Sequence, residues 1–162
     1  IVKDQKNQRL WIATTRGLSM INLKTFDPSN PKFTVFKNDL KNSNSINLDF
    51  LKDLALDKYN NVWGATYGKG IFRLEMSDKN KINIYRYKKE INNQNSLRND
   101  VTQCIRVDKE NNIWIGTRGG LTKLHFQSEH YNDPVFTNFY KDADKQNSLS
   151  NNSVYDILFD KE

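Results

Sequence analysis

"NNIWIGTRGGLTKL", residues 111–124, decides the fold because it is not unique in the chain. "NNVWGATYGKGIFRL" runs over 60–74 and "QRLWIATTRGLSMINL" over 8–23. Their tryptophans, Trp11, Trp63 and Trp114, stand 52 and 51 residues apart. A second marker keeps the same phase: "NSI" begins at Asn44, and "NSL" begins at Asn95 and again at Asn147. A third is an aspartate that closes an apolar run, at Asp4, Asp57, Asp108 and Asp160. Three markers sharing one period of about fifty residues identify a repeat, and this length points to propellers, solenoids or arrays.

Within one unit, 95–146, "DVTQCIRVD" is a short β-branched and apolar run that stops at "DKENN". Asp and Asn tolerate left-handed backbone and bond their own backbone, so this is a tight hairpin turn. "IWIGT" reads as the second strand, "RGG" as the next turn, "LTKLHF" as the third strand and "PVFTNFYK" as the fourth. Four short strands joined by hairpin loops make one propeller blade. Helical periodicity is missing, which disfavours helical solenoids. The expected fold is therefore all-β: four-stranded antiparallel blades, about three of them, forming an open arc of a larger propeller. The repeats divide the chain at 1–43 (its first strand truncated), 44–94, 95–146 and 147–162 (first strand only). Three blades are too few to close a ring.

The once-per-unit tryptophans are assigned to packing between sheets, since a buried indole covers on the order of 150–250 Å². Ala13, Ala65 and Gly116 hold the small position two residues on, where backbones approach closely. Thr14, Thr66 and Thr117 suit strands and are expected to hydrogen-bond a neighbouring blade. Asp57, Asp108 and Asp160, with Asp4, are read as turn caps.

Composition limits the function. Only 36% of residues are hydrophobic and 12% are aromatic, which suits thin sheets glued face to face. No apolar run reaches the roughly 20 residues of a membrane helix. The chain opens on "IVKD", the tail of a unit, without an initiator methionine, and is expected to be a piece of a longer protein. The net charge of +6 comes from scattered lysines mixed with acids. That pattern fits a solvated surface that guards sheet edges better than a nucleic-acid site. Cys104 is the only cysteine, so no internal disulfide forms, and it reads as a structural thiol. His125 and His130 are the only histidines and lack metal-ligand spacing. No metal, cofactor or catalytic residue is expected, and the segment is read as non-enzymatic.

These motifs closely resemble the two-component regulator propeller repeat. Its unit reads Asn-Ser-Leu, an apolar strand ending in Asp-Lys, a polar turn, Trp-Ile-Gly-Thr, a glycine pair and Leu-x-x-Leu. The match covers 95–126 in full, 44–76 with "WGAT", 8–23 with "WIAT", and 147–162. Asn60, Asn61, Asn111 and Asn112 stand where glycine-asparagine is usual. The resemblance implies the periplasmic sensor region of a bacterial hybrid two-component system, an inner-membrane protein. Such regions commonly detect oligosaccharides and switch on genes for polysaccharide use. The histidine kinase would lie outside this chain. It also implies that the remaining blades of the parent cover the end sheets, and that the parent dimerises. No nucleic-acid or membrane contact is expected of this segment. A carbohydrate-active propeller enzyme and a protein-interaction scaffold are the alternatives. The turns between second and third strands gather non-repeating chemistry at one rim. Arg16, Tyr67, Lys69 and Arg118 are accordingly the candidate ligand-binding residues.

Overall fold

The computed structural model of the chain describes residues 1–36, 50–76, 81–128 and 131–160. Among them lie three four-stranded sheets, each in simple sequential order. The first holds β1 (Val2–Asp4), β2 (Arg9–Thr14), β3 (Gly17–Asn22) and β4 (Phe33–Phe36). The second holds β5 (Leu51–Leu56), β6 (Val62–Thr66), β7 (Ile71–Met76) and β8 (Ile82–Tyr87). The third holds β9 (Thr102–Val107), β10 (Ile113–Thr117), β11 (Gly120–Phe126) and β12 (Pro134–Phe139). Every pairing is antiparallel. The molecule is an all-β arc of propeller blades, and the sheets do not close on themselves. Among the described residues no helix is long and apolar enough to cross a membrane.

The turns form where the sequence supplies the right backbone. Asn60 and Asn111 adopt φ of 64° and 66°, the left-handed state that asparagine tolerates best among residues with a side chain. In the first copy Gln8 takes that role at 54°. Gly70, at φ 74°, ends the β6–β7 turn, and a Cβ there would lie 2.2 Å from the Tyr87 carbonyl oxygen.

Alternation along the strands gives each sheet two apolar faces, as a blade buried on both sides requires. One cluster joins the first sheet to the second through Trp11, Leu18 and Met20 against Leu54, Val62, Phe72 and Leu74. A second joins the second sheet to the third through Trp63, Ala65 and Ile71 against Ile105, Ile113, Ile115 and Leu124. Trp11 and Trp63 are fully buried, whereas Trp114 is only half-buried, because its face looks away from the other two sheets. β5 is the strand that meets both neighbouring sheets: it lies beside β9 of the third and beside β2, and less extensively β1, of the first. Asp53 on β5 accepts the Ile105 amide at 3.0 Å and the Arg106 guanidinium, both on β9. Where the backbones crowd, Gly116 is required. A Cβ there would lie 2.5 Å from Cys104 Sγ and 2.9 Å from the Val154 carbonyl oxygen.

Three details differ from the sequence reading. The segment 154–160, expected as a first strand, carries no strand among the described residues. Strands are defined by ladder bonds, and this segment is held instead by Val154 N–H to the Thr117 carbonyl (3.0 Å) and by Asp156 to Arg106 (2.7 Å). Thr14, Thr66 and Thr117 do not reach a neighbouring blade with their hydroxyls. Each donates to the carbonyl of the glycine that ends its own turn, Gly17, Gly70 or Gly120, at 2.7–2.8 Å. The hydroxyl that bridges sheets is that of Thr102, which accepts the Thr66 amide at 2.6 Å and donates to the Thr66 carbonyl at 2.8 Å. Finally, the aspartates do more than cap turns. Asp57 accepts the Tyr59 and Asn61 amides and also the Trp63 indole N–H at 2.9 Å. Asp108 does the same for Asn112 and, at 2.8 Å, for Trp114. Asp4 and Trp11 are seven residues apart instead of six. Among the described residues Asp4 caps only Asn7, and the buried Trp11 Nε1 has no partner. Asn44 and His130 fall outside the described residues.

Candidate functional site

The β6–β7 turn of the second sheet leans on the third. Gly68 and Gly70 donate their amides to the Asp100 carbonyl, each at 3.0 Å. Tyr67 forms a β-bridge with Val101, and its amide bonds the Phe50 carbonyl at 3.0 Å. The Val101 carbonyl in turn receives the Arg118 amide at 3.0 Å, from the β10–β11 turn. Val101 thus lies between the two turns and draws Tyr67 and Arg118 to one rim.

Their side chains meet there. The Arg118 guanidinium carbon lies 5.3 Å from the Tyr67 ring centroid. Phe50, just ahead of β5, packs against Tyr67 at 5.5 Å between centroids, with the planes 52° apart. Lys52 Nζ sits 5.5 Å from the Phe50 ring and 5.8 Å from the Tyr67 ring. Two aromatic rings and two cations from two adjacent sheets form one exposed cluster; Phe50 is 43% and Tyr67 45% accessible. Among the described residues, none of Lys52, Lys69 and Arg118 has a carboxylate at ion-pair distance. Of the four residues singled out in the sequence, the structure brings together Tyr67 and Arg118. Lys69 is exposed in the same turn as Tyr67, and Arg16 is exposed in the β2–β3 turn, neither touching the cluster's rings. Phe50 and Lys52 escaped the sequence reading, because they precede or begin a strand rather than lie in a glycine turn.

A second cluster is buried between the same two sheets. Arg73, only 2% exposed, pairs with Glu75 at 2.7 Å. Its guanidinium carbon lies 4.3 Å from the Tyr85 centroid and 3.8 Å from that of Tyr131. Tyr131, in the loop before β12, donates its hydroxyl to Asp57. Burial and that carboxylate push the Tyr131 hydroxyl well above the usual phenol range. Arg73 faces Trp63 across the ladder, where Met20 faces Trp11 and Lys123 faces Trp114. A cation thus faces the tryptophan in the second and third copies, and Arg73 is the one buried between two sheets, where the Tyr131 ring of the third sheet covers it.

Chemistry elsewhere is sparse. Cys104 is buried against Gly116, and burial pushes its thiol up to about 11. His125 pairs with Val135 on the outer half of the third sheet. Among the described residues no three His, Cys, Asp or Glu side chains converge to hold a metal ion.

The family model described as "Two component regulator propeller" matches residues 96–119. No curated protein matches the chain. Among solved structures, the chain resembles the extracellular domain of a B. thetaiotaomicron protein described as a one-component system. There the TM-score is 0.68 at 23% identity, over 100% of this chain and 19% of that one. It also resembles an extracellular domain described as belonging to a hybrid two-component system of the same organism. That match has a TM-score of 0.54 at 20% identity, over 91% of this chain and 19% of that one. The chain therefore spans about a fifth of the length of these structures. The fold likeness agrees with the arc of propeller blades, and residues 96–119 carry the matched two-component regulator propeller motif.

Proposed function

From that repeat and the arc it builds, we propose that the chain is a segment of the extracytoplasmic ligand-sensing head of a hybrid two-component sensor. In this reading it lies in the periplasm, as part of an inner-membrane protein. The parent's remaining blades cover the outer faces of the first and third sheets, and the parent functions as a homodimer. Its ligand is an oligosaccharide, and its output is control of genes for polysaccharide use. Signalling chemistry belongs to a histidine kinase elsewhere in the parent, and this segment contributes recognition.

One observation carries the reading. The turns between second and third strands repeat in backbone, each closed by its threonine, but differ in chemistry. Two of them place Tyr67 and Arg118 in contact at an exposed rim. Repeated scaffolds present binding residues on such variable loops. The test is calorimetric binding of a defined oligosaccharide panel to the intact protein, to Tyr67→Ala and to Arg118→Ala. The reading expects at least one ligand whose affinity drops in both variants. Unchanged affinity in both removes the rim as the site.

A further inference from the structure

Resting on the sensing reading above, we infer that the rim selects an anionic oligosaccharide, one bearing sulfate esters or uronic-acid carboxylates. The evidence is how the two rings are used. A platform for neutral sugars needs a bare aromatic face. Here Arg118 and Lys52 both lie over Tyr67, and Lys52 also lies over Phe50. The rings therefore position cations, since a cation within about 6 Å of a ring centroid is attracted to its face. Both charges are held within 6 Å of the Tyr67 ring at an exposed rim.

Neutralisation elsewhere sharpens the contrast. Arg73 is paired with Glu75, and Arg106 with Asp53 and Asp156. The nearby acids are already engaged. Asp53 is held by Arg106 and the Ile105 amide, and Asp100 accepts the Lys89 amide at 2.7 Å. Lys52 and Arg118 have no acid partner among the described residues, and Lys69 adds a third such cation from the Tyr67 turn. A sulfate or carboxylate fits this arrangement. The guanidinium fork binds it bidentately, and the ammonium adds a point charge. The backbone under the site is pinned by the Tyr67–Val101 bridge and the Arg118 amide bond, so little ordering is needed on binding.

The test compares three hexasaccharide probes on the intact protein: a sulfated glycosaminoglycan fragment, an oligogalacturonate and a neutral xylo-oligosaccharide. The variants are Tyr67→Ala and the charge variants Lys52→Gln, Arg118→Gln and Lys24→Gln. Lys24 is exposed on the first sheet, so its variant removes one charge without touching the rim. At least one acidic probe should bind, and the two rim variants should each weaken it about tenfold or more, the loss expected for one charge-assisted bond. Lys24→Gln should stay within about twofold, because exposed charges beyond a Debye length of about 8 Å are screened at physiological salt. The sulfated and uronate arms tell which acid group is read. Binding of the neutral probe alone, lost in Tyr67→Ala but untouched by the charge variants, overturns this inference while leaving the sensing reading standing. Equal weakening by Lys24→Gln also overturns it, since net charge would then be the cause. No binding by any probe overturns both.

Discussion

Asp57→Ala should destabilise the protein far more than Asp4→Ala, although the two aspartates close equivalent turns. Asp57 is 5% exposed and holds the indole N–H of Trp63, which is fully buried. Leaving that donor unpaired costs about 1–3 kcal/mol. The Tyr59 and Asn61 amides and the Tyr131 hydroxyl also lose their acceptor, but water reaches them in part; they add about 1–2 kcal/mol. The sum is about 2–5 kcal/mol, which lowers Tm by about 4–20 °C for a domain of this size. Asp4 has no such hold, because the extra residue in its turn already leaves Trp11 Nε1 unpaired. Losing its two bonds to Asn7 should cost about 1 kcal/mol. The assay is urea unfolding of both variants, followed by tryptophan fluorescence. If the two losses agree to within about 0.5 kcal/mol, the resolution at which single substitutions can be compared, the indole anchor contributes nothing and the reasoning fails.

Other outcomes follow from the same contacts. Replacing residues 5–9 by Lys-Tyr-Asn-Asn, the turn of the second copy, should bring Asp4 to Trp11 Nε1 and raise stability by about 1 kcal/mol, read in the same urea assay. Thr102→Val should strip the Thr66 amide of its shorter bond and leave it the Gly70 carbonyl at 3.1 Å, costing about 0.5–1.5 kcal/mol and speeding that amide's hydrogen exchange. Although burial pushes the Asp108 carboxyl up, the Trp114 and Asn112 donors hold it below the usual range. Its stabilisation is therefore present above the unfolded pKa of about 3.9 and lost as pH falls through the lower folded value. Asp108→Asn should flatten that part of the acid-unfolding curve. Cys104, with its thiol raised to about 11, should react with a thiol reagent at neutral pH only as fast as the protein opens.

The period of the tryptophans, the asparagine turns and the small residue after each tryptophan were legible because each is a local choice that repeats. Strands such as Ile113–Thr117 follow directly from "IWIGT". What lay hidden depends on partners distant in sequence. The Asp–Trp bond at six-residue spacing needed coordinates, although the seven-residue spacing of the first copy was a visible exception. The threonine motif gave the strand but not the bond. Its hydroxyl finds the nearer carbonyl of its own turn, while Thr102 takes the bridging role 36 residues away from Thr66. Arg73 is a single charge in the apolar run "IFRL", and nothing local signals that Tyr85 and Tyr131 enclose it. At the rim, the glycine turns pointed to Tyr67 and Arg118. Phe50 and Lys52 joined them only through the fold.

The most direct test of the account is an experimental structure of the intact protein. It should place Trp11, Trp63 and Trp114 on the same face of three successive sheets, with β5 between β9 and the β1–β2 hairpin, and with Tyr67 touching Arg118 at one rim. Tryptophans on unlike faces, or those two turns at opposite ends of the stack, would contradict it.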